Sequence, residues 1–104
     1  MIITTTDGVE GKRIVAYLGV ISADVVMGSN AIRDFFASVR DWVGGRAGSY
    51  EKVLADARRE AVEELAEKAA KLGADAVIGV DLDYQSVGGT MLMVAANGTA
   101  VKLG

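Results

Sequence analysis

Two runs of this chain are apolar on both of their faces, and that limits what it can fold into. Residues 12–27, KRIVAYLGVISADVVM, are rich in β-branched side chains and read as a strand. The even positions include Ile14, Ala16, Leu18 and Val20; the odd ones include Val15, Tyr17, Gly19 and Ile21. Strand side chains alternate between faces, so neither face here is polar enough to be left in water. Residues 90–103, TMLMVAANGTAVKL, are two-sided in the same way up to Ala96. A sheet built from such strands has to be covered on both sides.

The rest of the chain supplies only part of that cover. Ser29 or Asn30 can cap a helix over 30–43, where Ile32, Phe35, Phe36, Val39 and Val43 recur at helical spacing. Arg33, Asp34, Arg40 and Asp41 lie on its other side, and Gly44 and Gly45 end it. Ser49 can cap a second, longer helix with the apolar stripe Tyr50, Val53, Leu54, Ala57, Ala61, Leu65, Ala69 and Leu72, stopped by Gly73. Residues 2–6, IITTT, form a short strand before the turn Asp7-Gly8. Residues 75–84 alternate, with Ala76, Ile78, Val80, Leu82 and Tyr84 on one side and Asp75, Val77, Gly79, Asp81 and Asp83 on the other. Gly88-Gly89 makes the next turn. Asn97-Gly98 fits either a hairpin turn or a bulge in one continuous strand; the shared parity of Met91, Met93, Ala95, Val101 and Leu103 favours the bulge.

The order is β-β-α-α-β-β, an α+β fold in a single domain over 1–104: a mostly antiparallel sheet with the long helix on one face. The other face would be a large apolar patch, which monomers seldom show. Copies of the same chain are expected to bury it, with the helix over 30–43 as the intramolecular alternative.

Composition excludes several functions. The net charge of −3 argues against nucleic acid, which selects basic surfaces. The chain has neither His nor Cys, so it lacks the commonest general base, thiolate chemistry and the usual soft-metal ligands. The start, MIITTTDG, has no basic segment followed by an apolar core. No apolar stretch approaches the ~20 residues that span a bilayer, so a cytoplasmic protein with no membrane partner is expected.

Three constellations could carry function. In Gly44-Gly45-Arg46-Ala47-Gly48-Ser49-Tyr50 a Walker loop is excluded, because a helix precedes it and the Lys-Ser/Thr pair is missing. Free amides at the start of the second helix, with Arg46, could still hold a phosphate or carboxylate; the plain alternative is a helix–helix link. The binding residues would be Gly44, Gly45, Arg46, Ser49 and Tyr50. Asp81 and Asp83, with Asp24 or with copies from neighbours, could bind a hard cation through oxygen, against the plainer reading of a solvated strand end. Met91 and Met93 share a parity and read as core filler, since a soft metal would need Cys or His beside them. No catalytic set and no cofactor motif stands out; an enzyme using Tyr50, Glu51 or an Asp pair ranks last.

The run Gly28, Asn30, Arg33-Asp34, Arg40-Asp41, Gly44-Gly45-Arg46 and Tyr50-Glu51, with Ala57-Arg58 and Leu72 to Val77, resembles the YbjQ-like family. So do Gly79-Val80-Asp81, Tyr84, Met91 to Val94 and Gly98 to Val101. The resemblance implies a small α+β subunit in a ring-like homo-oligomer, a pentamer, of uncharacterised role. The family also bears a heavy-metal-binding label. Thiolate and imidazole are what such metals prefer and this chain has neither, so no metal site is carried over.

Overall fold

The computed structural model describes residues 1–28, 48–87 and 91–104. The helix expected over 30–43, Gly44, Gly45, Arg46 and the turn Gly88-Gly89 lie outside the described residues. The elements are β1 (Ile2–Ile3), β2 (Ile14–Met27), α1 (Gly48–Lys71), β3 (Ala76–Val87) and β4 (Met91–Leu103). They make an α+β fold with one four-stranded sheet in the order β1-β3-β4-β2. β4 is antiparallel to both β2 and β3, and only β1 runs parallel to its neighbour β3.

α1 covers one face. Ala57, Ala61, Leu65 and Ala69 recur every fourth residue and are fully buried against Ala23, Val77, Val94, Ala96 and Ala100. Three alanines in that row bring the helix backbone close to the sheet. Lys68 adds a polar tie, donating to the Ser22 carbonyl on β2 at 2.7 Å. The helix ends as expected at Gly73, whose φ of 79° suits a residue without Cβ. Its N–H donates to the Ala70 carbonyl at 3.0 Å, and that of Ala74 to the Ala69 carbonyl at 3.1 Å, a Schellman closure. Leu72 falls beyond the helix and is 48% exposed, so it does not belong to the buried stripe.

β4 is continuous through Asn97-Gly98, as its parity suggests, but the extra residue sits in its partner. Ile78 pairs with Thr99 and Asp81 with Asn97, so β3 carries one residue more than β4 there. Gly79 takes a φ of 60° to make this bulge. The bulge inverts the alternation expected over 75–84. Val77, Val80 and Leu82 pack toward the helix, whereas Ala76 and Ile78 join Val101 in a cluster on the opposite face. β2 has two similar irregularities, between Ile14 and Ala16 and between Tyr17 and Gly19. The bulge also explains why β1 is two residues long instead of five. Past Ile3 the chain follows the kink: the Val80 N–H donates to the Thr4 carbonyl at 3.0 Å and the Gly79 N–H to that of Thr6 at 2.8 Å.

Candidate functional site

Paired positions share a face, so the register places the side chains turned away from α1. One row is Ser22, Asn97 and Asp81; the next is Asp24, Ala95 and Asp83; a third is Val26, Met93 and Gln85. Among the described residues, Val9, Ile14 and Leu103 cover the end of this face that holds Ala76, Ile78 and Val101. Elsewhere Val20 is 82%, Tyr17 71% and Val26 54% exposed. Met91 and Met93, expected as core filler, are not buried.

All three aspartates therefore lie on the open face, on two different strands. Asp24 is separated from Asp83 by β4, about 10 Å at ordinary strand spacing. Asp81 and Asp83 are neighbours on β3. A hydrogen bond that the protonated Asp83 carboxyl donates to Asp81, and then the like charge of Asp81, hold the Asp83 carboxyl above the usual carboxylate range. Among the described residues no group of three or more Asp, Glu, His or Cys is placed to hold a metal ion. The structure brings Asp81 and Asp83 together and leaves Asp24 apart.

A raised carboxyl favours the fold while it is protonated. Its contribution is complete below the ordinary value of 3.8 and is lost as pH rises through the raised one. Asp83→Asn should therefore gain in thermal midpoint relative to the parent as pH rises through that window, with no gain below it. Midpoint curves against pH that run parallel for the two proteins would count against the Asp81–Asp83 interaction.

Of the residues proposed for an anion, Gly44, Gly45 and Arg46 lie outside the described residues. Ser49 and Tyr50 fall in the first turn of α1, which starts at Gly48, so Ser49 is not the residue that precedes the helix. Sequence reasoning missed two recesses at the β1 side. One, of about 280 Å³, is lined by Ile2, Thr4, Thr6, Gly8, Val9 and Glu10. The other, of about 330 Å³, is lined by Ile2, Lys12, Asp75, Leu103 and Gly104. Asp75 is committed to structure there: it accepts the Leu103 N–H at 2.9 Å and lies 3.8 Å from the Lys102 ammonium. No helix among the described residues is long and apolar enough to cross a membrane.

These features define a class: a small α+β subunit with one sheet face under a helix and the other, among the described residues, covered only at one end. The chain belongs to the YbjQ family, whose model, described as "Putative heavy-metal-binding", matches residues 1–104. It is 55% identical over 103 residues to a UPF0145 protein of Geobacillus thermodenitrificans, covering 99% of each chain. It is 53% identical to UPF0145 proteins of Anoxybacillus flavithermus, over 99% of this chain and 98% of that one, and of Bacillus cereus, over 99% and 100%. A crystal structure of a DUF74-family protein of unknown function from Pediococcus pentosaceus has the same fold. Its TM-score is 0.61 at 22% identity, over 100% of this chain and 98% of that one. None of these four proteins is named for an enzymatic activity.

Proposed function

We propose that this chain is a non-enzymatic, cytoplasmic subunit of a pentameric ring. Its subunit clefts, near Gly44, Gly45, Arg46, Ser49 and Tyr50, take a small anion or other ligand. The observation that carries the assembly is the bare face, with Val20 82% and Val26 54% exposed on a sheet whose other side is packed. Light scattering should give five times the 10.8 kDa subunit mass, and Val20→Asp with Val26→Asp should shift it toward one. A single-subunit mass for the parent at micromolar concentration would overturn the ring. For the cleft, anions, nucleotides and metabolites should include one that raises the thermal midpoint saturably. Loss of that rise in Arg46→Ala supports the site; no saturable rise from any of them removes it.

The second reading is a hard cation held by Asp81 and Asp83, with Asp24 supplied from elsewhere in the assembly. It is favoured by the contact between the first two carboxyls and by the family's description. Calorimetry with Ca²⁺, Mg²⁺, Mn²⁺ and Zn²⁺ decides it. Binding that survives Asp81→Asn with Asp83→Asn takes those residues out.

A further inference from the structure

The smaller of the two recesses beside β1 is built on backbone that is already tied down. The Thr4 N–H donates to the Val77 carbonyl at 2.9 Å, and the carbonyls of Thr4 and Thr6 accept from Val80 and Gly79 in the bulge of β3. The turn that follows is closed by the Lys12 N–H on the Val9 carbonyl at 3.0 Å. Thr4, Thr6, Val9 and Glu10 are therefore presented on ordered chain, and a ligand entering the recess would not have to order it.

Both hydroxyl protons at this recess are committed. Thr6 has one, and donates it to the Gly8 carbonyl at 2.6 Å. The 2.9 Å contact between Thr4 Oγ1 and Thr6 Oγ1 must then use the Thr4 proton. Thr4 Oγ1 in turn accepts the Thr6 N–H at 3.2 Å. The bonds run one way, from the Thr6 amide through the two hydroxyls to the Gly8 carbonyl, and each link polarises the next. Each hydroxyl oxygen keeps one free lone pair and has no proton to give. Glu10, the one ionisable residue lining the recess, adds a carboxylate. Among the described residues Glu10 makes no ion pair or hydrogen bond. The polar side chains around the recess thus accept and do not donate. Ile2, 42% exposed, and Val9 supply apolar wall, while Lys12 lines the neighbouring recess instead.

We propose that this recess binds a primary alkylammonium group, its head on Glu10 and the hydroxyl oxygens of Thr4 and Thr6, its carbon chain over Ile2 and Val9. An ammonium brings a positive charge and three N–H donors, which match one carboxylate and a set of free lone pairs. A hard metal ion takes six or more oxygens, and it would find a single carboxylate beside apolar wall. A carboxylate or phosphate would meet no side-chain donor and a like charge. The site lies apart from the cleft proposed near Gly44 to Tyr50 and needs no second copy of the chain.

Titrating the ¹⁵N-labelled protein with n-pentylammonium should move the amide signals of residues 2–10 saturably. Thr4→Val with Thr6→Val keeps the shape and removes both hydroxyl oxygens; Glu10→Gln keeps the size and removes the charge. Each should weaken binding about tenfold, the scale of a hydrogen bond to a charged group. Pentyltrimethylammonium, with the same charge and no N–H, should bind about tenfold more weakly than n-pentylammonium, and pentanoate should leave these amides unmoved. Glu10→Gln lies on an exposed turn, so it decides the question if the threonine variant fails to fold. No saturable shift over 2–10, equal binding of the trimethylated probe, or binding that Glu10→Gln leaves unchanged overturns the site. A stronger response of the same amides to Ca²⁺ or to pentanoate overturns it too, and gives the recess to a metal ion or an anion.

Discussion

Leu65→Ala lowers the unfolding free energy by about 2–5 kcal/mol, toward the upper part of the range for a buried leucine. Leu65 is fully buried in the middle of α1, and its companions in the row are Ala57, Ala61 and Ala69. Those alanines already bring the helix close to the sheet, so the helix has little room to settle into the space left behind. The fully buried side chains of the sheet beneath are Val and Ala, which cannot extend to fill a hole; the longer Leu18, Ile21, Met27 and Leu82 are only partly buried at its margin. Against the 5–15 kcal/mol of an ordinary domain, the loss is large. Denaturant unfolding at fixed protein concentration measures it, since assembly makes stability concentration-dependent. Leu72→Ala is the control, because that leucine is 48% exposed and should cost well under half as much. Equal losses from the two would mean that the buried row is not what holds α1 down.

Sequence periodicity treats those two leucines alike, and that marks where it stops being informative. The row from Ala57 to Ala69 is legible because helical spacing repeats without interruption, and Gly73 ends it by a backbone need that only glycine meets cheaply. Strand parity is legible only up to the first bulge. Gly79 has no side chain to show which face it occupies, so the inversion that sends Val80 to the helix side leaves no trace in the residue pattern. In β2 the irregular positions fall among residues apolar on both faces, where a slip changes nothing visible. The candidate site divides in the same way. That Asp81 and Asp83 share a side follows from their spacing of two. That Asp24 joins them on the face turned from the helix depends on the register of β2 against β4, which the chain does not spell out locally.

Gly98→Ala costs about 1–3 kcal/mol, because β4 meets the bulge of β3 at that residue. A Cβ on Gly98 would stand 2.6 Å from Cγ1 of Val77, 3.2 Å from Cγ2 of Val80 and 3.3 Å from the Ile78 carbonyl oxygen. The two side chains are β-branched and buried, and a stiff χ1 leaves them no easy retreat. Gly79, in the same bulge, excludes a side chain for another reason. A Cβ there meets nothing within 4 Å, but the φ of 60° is left-handed, at about 1–2 kcal/mol for any other residue. The two causes separate in double-mutant cycles with Val77→Ala, which removes the nearest obstructing atom. In the Gly98→Ala cycle the double variant should recover at least about 0.5 kcal/mol over the sum of the single losses, the scale of coupling between touching residues. In the Gly79→Ala cycle the losses should add, since no side chain crowds that position. Additivity in the first cycle would mean that Gly98 is required by its backbone rather than by the approach of Val77, and that the bulge could move away from β4 without strain.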